Sequence, residues 1–547
     1  MKIQLAQINF IIGDLDGNYN KIITFYQKFQ NKVDLVLFSE LAICGYPPED
    51  LLLKDYFLEQ IEQKLQDIIN FTKDKKAAIL LGCPARINDQ YNNKKLFNAA
   101  ILIENGAIND IFYKKNLPNY GIFDEKRYFT PANNLKNIQF RGVNLAILIC
   151  EDIWHLKNSF LLKEQDVDLI IAINASPFEE GKLTKRINNI QEFNKNLQKN
   201  IIYLNQVGAC DSLIFDGSSF IVNHNNDIIK ILGQFKEDSH LVNINDDGNI
   251  SDQKITLSFS KEERIYNALI LGLRDYVIKN GFKNVILGLS GGIDSALVAT
   301  IAADALGAQN VKLMALPSKY NSNQSYIDAK ELSDNLDINL QQIAIQNIFD
   351  QIENALNPIF SDCKNDCTEE NIQSRIRGLL LMAISNKFGN LLLATGNKSE
   401  LAVGYATLYG DMNGAYNPLK DLYKTQIYQL SQWRNDNIPA ISQLSQKNII
   451  PQNIITKEPT AELRENQKDT DSLPDYNILD QILYLIIEKQ MSKEEIIAKN
   501  FDTHIVTKII KMFYNNEFKR QQAVIGPKIS QMSFDKDRRY QIGSKFR

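Results

Sequence analysis

The chain has little cysteine and less histidine. Six cysteines, at 44, 83, 150, 210, 363 and 367, are scattered over 547 residues, and four histidines stand at 155, 224, 240 and 504. There is no Cys-x-x-Cys pair, and the one close pair, Cys363 and Cys367, has no histidine near it. Neither a zinc site nor a disulfide framework is therefore expected. A Cys–His couple would have to use His155 or a partner distant in sequence. No uninterrupted apolar run is long enough to cross a bilayer. Met1 leads straight into a strand-like alternation, with neither a basic leader nor an apolar signal core. An excess of charge is missing too: 61 Lys+Arg against 65 Asp+Glu gives a net charge of −4. That balance offers nothing to nucleic acid or to an anionic membrane. The expectation is a cytoplasmic protein acting on small molecules.

What is present is an ordinary globular composition, 44% apolar and 23% charged, in a chain too long for one core. The first half alternates helical stretches with strand-like runs at 33–38, 77–82, 98–103, 145–149, 169–173 and 201–204. Asn105-Gly106 and Asn225-Asn226 mark hairpin turns. This reads as an α/β domain over 1–250, ending in the polar stretch 245–249, then a connector over 251–262. A second domain over 263–547 opens with a helix, 263–280. Strand-like runs at 284–289, 311–316, 340–345 and 391–394 then alternate with helical spans, the pattern of a doubly wound parallel sheet.

Ser290-Gly291-Gly292-Ile293-Asp294-Ser295 lies between one of those strands and a helix. Two glycines and two hydroxyls at a helix N-terminus let backbone N–H groups close on a phosphate, where the helix dipole favours negative charge. Asp294 adds a carboxylate suited to Mg²⁺. A lone Gly-Gly would mean only a tight turn, and the missing lysine excludes the GxxxxGK[ST] loop. The six residues in this context resemble the pyrophosphate loop of the ATP pyrophosphatases, which make acyl adenylates.

In the first domain Cys150 ends an apolar strand and is followed by Glu151-Asp152-Ile153-Trp154. Most such cysteines are simply buried. Two further strand ends alter the balance: Ser39-Glu40, and Lys114-Lys115-Asn116-Leu117-Pro118. A carboxylate can take a thiol proton, while an ammonium favours thiolate and steadies an oxyanion. Together these resemble the Glu-Lys-Cys triad of the nitrilase superfamily. That resemblance implies an αββα sandwich and amide hydrolysis through a thioester, with Glu40 as general base, Lys114 as the stabilising lysine and Cys150 as nucleophile. Lys115 competes with Lys114, but the family's Lys-x-x-Leu spacing selects 114. The same resemblance implies a role near the site for Glu125, and glutamine contacts at Tyr120, Ser176 and Lys182.

Downstream, Glu370–Gly378, Thr395-Gly396-Asn397-Lys398-Ser399-Glu400, residues 404–411, 422–425, 457–464 and 518–521 look like NAD⁺ synthetase. A nitrilase-type glutaminase ahead of an adenine nucleotide α hydrolase-like synthetase resembles the glutamine-dependent NAD⁺ synthetase family over nearly the whole chain. The resemblance implies ATP contacts at Gly288, Leu289, Ser290, Gly291, Gly292, Ile293, Asp294, Ser295, Thr395, Lys424 and Thr460. It implies deamido-NAD⁺ contacts at Asn371, Arg375, Glu400 and Lys519, Mg²⁺ at Asp294 and Glu400, and a homo-oligomer using glutamine, ATP and deamido-NAD⁺. Ser374, where the family pattern has alanine, and Val524-Ile525, where it often has a proline turn, depart from that pattern. Alternatives are another adenylated acceptor, as in GMP or asparagine synthetases or tRNA-modifying relatives, and a degenerate first domain ahead of an ammonia-only synthetase. The presence of Glu40, Lys114 and Cys150 together argues against the latter.

Overall fold

The computed structural model describes residues 1–88, 94–245, 250, 254–255, 260–465 and 467–546. The chain divides into two compact units, Met1–Phe259 and Ser260–Arg547. Most of the polar stretch 245–249 and of the connector expected at 251–262 lies outside the described residues. Of the connector, Ile255 donates its N–H to Ile228 O in the first unit, and Ser260 caps the first helix of the second by accepting from Glu263 N.

The first unit has fourteen described strands: β1 Lys2–Gln7, β2 Leu35–Leu37, β3 Ala78–Asn88, β4 Lys94–Glu104, β5 Ala107–Tyr113, β6 Asn137–Phe140, β7 Val143–Ile149, β8 Leu169–Asn174, β9 Asn200–Asn205, β10 Val207–Cys210, β11 Leu213–Asp216, β12 Phe220–Val222, β13 Ile228–Ile231 and β14 Asp238–Asn243. Two six-stranded sheets form, ordered β14-β1-β2-β3-β4-β5 and β13-β12-β9-β8-β7-β6, with β10 and β11 as a separate hairpin. Each has a parallel centre, β1-β2-β3 in one and β7-β8-β9 in the other, flanked by antiparallel strands. The centre strands are buried on both faces, so β8 reads Leu-Ile-Ile-Ala-Ile-Asn without alternation. The sheets meet through Leu5, Leu37 and Leu80 against Ile147, Ile171 and Ile202. Helices α1 Leu15–Phe29 and α2 Asp55–Phe71 cover the outer face of one sheet, and α3 Leu156–Lys163 and α4 Lys182–Asn194 that of the other, making the layers α-β-β-α. Asn105 and Gly106 both take positive φ, 46° and 79°, which matches the twist of the β4–β5 hairpin they join.

In the second unit β15 Val285–Gly288, β16 Val311–Ala315, β17 Leu340–Gln342 and β18 Leu391–Leu392 form one parallel sheet, ordered β17-β16-β15-β18. The chain moves outward from β15 through β16 to β17, then returns to the other side of β15. That reversal opens a crevice at the carboxyl ends of β15 and β18, where open α/β sheets bind ligands. Among the helices are α5 Lys261–Lys279, α6 Ile293–Leu306, α7 Asn323–Asn335, α8 Gln346–Phe360, α9 Cys367–Phe388, α10 Lys398–Val403 and α11 Lys424–Asp436. Helix α6 is apolar on every side and buried throughout its middle, so its N-terminus at Ser290–Ser295 is fixed rigidly against β15.

Candidate active sites

In the first unit four strand ends deliver the candidate residues. Glu40 follows β2, Lys114 follows β5, Cys150 follows β7 and Ser176 follows β8. All four are buried. Lys114 Nζ donates to Glu40 Oε1 at 2.7 Å and to Glu125 Oε1 at 2.8 Å. Glu40 is held further by Asn98 Nδ2 at 2.7 Å and by the Ala175 N–H at 3.0 Å, so both of its oxygens are aimed. Tyr46 donates its hydroxyl to Glu125 Oε1 at 2.9 Å, while Glu125 Oε2 is buried with no partner. Lys115 lies outside this cluster; its backbone N–H goes to Asp152 Oδ1.

Burial works against the charge of Lys114, but the carboxylates of Glu125 and Glu40 more than offset it and hold the ammonium well above its usual range. Glu125 is pushed up by burial and by Glu40, with Lys114 pulling it back. Burial, then the charge of Glu40, pushes the Cys150 thiol up, with Lys114 acting in the other direction. A thiol in this setting is neutral at rest and would need a base before it could attack. Cys150 also takes φ +45°, a left-handed backbone that a non-glycine residue adopts only where its surroundings impose it. His155 is largely exposed and faces Glu151 at 3.3 Å.

The expected glutamine contacts are placed less uniformly. Ser176 is anchored by Arg186, a buried guanidinium that donates Nε to Ser176 Oγ at 3.1 Å and Nη2 to the carbonyls of Ser176 and Pro177, while pairing with Asp216 at 2.6 Å. Tyr120 is exposed and donates its hydroxyl to Glu151 Oε2 at 2.9 Å. Lys182, pushed down by burial, lies 5.1 Å from the Trp154 ring centroid and 3.4 Å from Glu179.

In the second unit a cavity of ≈ 320 Å³ opens at the sheet's reversal point, lined by Gly288, Leu289, Ser290, Gly292, Ile293, Asp294 and Ser295 and by Thr395, Glu400, Lys424 and Thr460. Gly291 is behind this wall: its φ is +80° and a Cβ there would lie 2.1 Å from Ser325 O. Ser290 Oγ accepts from the Gly292 N–H at 3.2 Å and pairs with Ser295 Oγ at 3.1 Å, so the loop is shaped without a ligand. Lys424 Nζ bridges Asp294 Oδ2 and Glu400 Oε1. Asn397 Nδ2 holds Asp294 Oδ1 at 2.8 Å. Burial pushes the Glu400 carboxyl up to about 8; Lys424 pulls it down, and Asp294, Asp469 and Asp411 add to the rise.

Of the four residues expected to meet the dinucleotide, Glu400 lines the cavity, whereas Asn371, Arg375 and Lys519 hold the 404–411 segment that forms part of its wall. Asn371 accepts from Thr407 Oγ1 at 2.8 Å, Arg375 donates to Leu408 O at 3.3 Å, and Lys519 donates to the Gly404 and Ala406 carbonyls at 2.8 Å. Ser374 is built into the same wall, its Oγ accepting from the Asp411 N–H at 3.0 Å.

Sequence reasoning did not single out Asn98, Arg186, Asn397, Asp469 or Glu462. Glu462 accepts from Ser322, Ser325 and Asn321 and so ties the 457–464 segment to the start of α7. A polar residue opening an apolar strand run could have flagged Asn98, and Asn397 sits inside the Thr395–Glu400 string; Asp469 and Arg186 carry no local signal.

The sequence matches the carbon-nitrogen hydrolase family over residues 2–248 and the NAD synthase family over residues 265–523. It is 42% identical over 549 residues to a glutamine-dependent NAD(+) synthetase of Acinetobacter baylyi, covering 100% of this chain and 99% of that protein. It is 44% identical over 560 residues to the protein of the same name from Synechocystis sp., covering 100% and 99%. Among solved structures, the glutamine-dependent NAD+ synthetase of Acinetobacter baumannii in complex with ADP superposes with a TM-score of 0.79 at 40% identity, over 99% of this chain and 98% of that one.

Proposed function

The chain belongs to the glutamine-dependent NAD(+) synthetase family, and from that premise we propose which of its residues carry the two half-reactions. The activity is ATP-dependent amidation of deamido-NAD⁺ with nitrogen taken from glutamine, a ligase reaction with ATP as cosubstrate. The boundaries we assign are a glutaminase domain over 1–250, a connector over 251–262 and a synthetase domain over 263–547. The observation that carries the residue assignment is the buried Glu40–Lys114–Glu125 cluster beside a cysteine held at positive φ.

Glu40 takes the Cys150 proton as sulfur attacks the side-chain carboxamide of glutamine, and the Lys114 ammonium steadies the oxyanion. Collapse breaks the C–N bond; Glu40 returns the proton to the leaving nitrogen, which departs as NH₃. Water, activated by Glu40, then hydrolyses the thioester to glutamate. Tyr120, Ser176 and Lys182 are assigned to the glutamine backbone end, and Glu125 to orienting the amide. In the second domain the nicotinate carboxylate attacks the ATP α-phosphorus, the Ser290–Ser295 loop holds the departing pyrophosphate, and NH₃ displaces AMP from the acyl adenylate. Lys424, Thr395 and Thr460 are assigned to ATP, and Asn371, Arg375 and Lys519 to shaping the dinucleotide side.

Mg²⁺ fits at Asp294 and Glu400: both are hard oxygen donors, both already converge on one cation, and crowding by further carboxylates favours a second. An ion held by these two carboxylates would be completed by substrate phosphates. When bound it supplies charge neutralisation for pyrophosphate departure.

We assign the protein to the cytoplasm, in keeping with six cysteines outside any disulfide. A homo-oligomer is supported by apolar side chains left exposed on α8 and α9, Ile359 at 74%, Leu379 at 66% and Phe388 at 62%; light scattering in solution reads its stoichiometry, and a monomer at micromolar concentration would contradict it. The residue assignment is tested by Cys150→Ala, expected to abolish NAD⁺ formation from glutamine and to spare formation from ammonium salts. Equal loss with both nitrogen donors would sink it.

A further inference from the structure

We propose that Asp152 is a positioning residue of the glutamine-hydrolysing reaction, its carboxylate tying the turn that presents Cys150 to the segment that presents Lys114. The inference rests on the assignment of Cys150 and Lys114 above. Asp152 is buried and touches neither the thiol nor the ammonium by any hydrogen bond the structure describes; it works through backbone. Its Oδ1 accepts the N–H of Asn116 at 2.7 Å and of Lys115 at 3.1 Å, the two residues that follow Lys114. Its Oδ2 accepts the N–H of Ile149 at 3.2 Å, the residue that precedes Cys150. One side chain thus spans the two strand ends from which nucleophile and lysine project.

Each end needs such a tie. Cys150 sits at φ +45° between β7 and a 3₁₀ turn over Cys150–Trp154. The Asp152-to-Ile149 bond closes that turn from its third position, as the acidic member of a capping box does. At the other end the chain leaves β5 for an irregular run, so the N–H groups of Lys115 and Asn116 have no ladder to pair with. Asn158, buried on α3, doubles the tie by donating Nδ2 to Asp152 O at 2.7 Å and to Asn116 Oδ1 at 2.9 Å.

The placement works against the charge of Asp152. Burial pushes its carboxyl up to about 7, against the pull of the three N–H donors and of the Lys114 ammonium. An apolar residue would avoid that penalty but could accept none of the three bonds. An asparagine keeps the volume and can still accept from Lys115 and Asn116. Its amide NH₂ would then face the Ile149 N–H, donor against donor, so the loosening falls on the Cys150 side.

The test uses the full-length chain and four variants, Asp152→Asn, Asp152→Ala, Asn158→Ala and Cys150→Ala, reading glutamate release and thermal melting. Misplacing reacting groups by an ångström lowers rates by about 10²-fold, so Asp152→Asn is expected to lose about that in kcat while KM for glutamine stays within about threefold. Asp152→Ala should lose more, and Asn158→Ala about tenfold, again at unchanged KM. A purely structural role predicts loss of kcat only in step with melting. The inference is overturned if Asp152→Asn, folded, keeps kcat within about threefold of the parent, or if its loss appears in KM instead. Should Asp152→Asn fail to fold, Asn158→Ala decides by the same two criteria. Glutamine hydrolysis surviving in Cys150→Ala would overturn the parent assignment as well, whereas a dead Cys150→Ala beside a normal Asp152→Asn removes this inference alone.

Discussion

The two candidate sites solve opposite electrostatic problems. In the first unit Glu40, Lys114 and Glu125 neutralise one another inside the protein, each almost entirely buried. On the proposed assignment the reacting group there is a neutral carboxamide, which brings no charge to help. In the second unit the charged groups face an open cavity, where Asp294 and Glu400 share the Lys424 ammonium and Asp469 and Asp411 add further negative charge around Glu400. That arrangement is incomplete by itself. It suits a ligand that carries its own counter-ions, as a nucleotide triphosphate does. Covalent chemistry on a neutral group calls for proton carriers fixed in advance, whereas phosphate chemistry calls for space and for backbone donors at a helix N-terminus.

The contrast can be broken most decisively at Lys114. Lys114→Met leaves Glu40 and Glu125 facing each other in a buried space with no cation between them, besides removing the proposed oxyanion partner. Glutamate release is expected to fall by about 10³-fold, while Lys115→Met stays within about twofold because Lys115 contributes only its backbone N–H to Asp152. If the two variants exchanged effects, the internally neutralised site would not be the reacting one.

Asp294→Asn probes the other side, with an expected loss of about 10²-fold in ATP–pyrophosphate exchange in the presence of deamido-NAD⁺. Glutamate release by that variant should retain its chemical competence. Near-normal exchange would show that the open site does not depend on this carboxylate. Smallest is Gly291→Ala, where φ +80° and the 2.1 Å approach to Ser325 O oppose a methyl group. Strain of this kind is worth about 1–3 kcal/mol, read as a lowered melting temperature together with weaker ATP binding. Unchanged melting would mean that the loop and α7 yield more easily than their contact implies.

Both sites were legible in sequence to the extent that chemistry sits at strand ends. Apolar runs announce β2, β7, β15 and β18, the Asn105-Gly106 turn announces β5, and the polar residues that follow each strand are the ones the fold gathers. What sequence pattern could not reveal is which residues hold those groups in place. Asn98 reaches Glu40 across the sheet, and Arg186 reaches Ser176 from a helix; such partnerships depend on register and packing between distant segments, which local periodicity does not encode. The choice between Lys114 and Lys115 was made in sequence by the family's Lys-x-x-Leu spacing. Adjacent residues leaving a strand point to opposite sides, and the structure sets the Lys114 ammonium against both glutamates. The two strings, one containing Asn371 and Arg375 and the other Lys519, were visible, yet these residues support the wall of the cavity more than they line it.

The crowding around Glu125 also bears on how the first half-reaction ends. Burial and the neighbouring Glu40 already make a second carboxylate uncomfortable there, which is why Glu125 holds its proton more tightly than an ordinary glutamate. The glutamine side chain would bring no charge to this space, whereas the product carboxylate would bring one to a place where two glutamates already share the Lys114 ammonium. If Glu40 and Glu125 flank the reacting group as proposed, glutamate should bind this site more weakly than glutamine, so added glutamate should inhibit its own formation poorly.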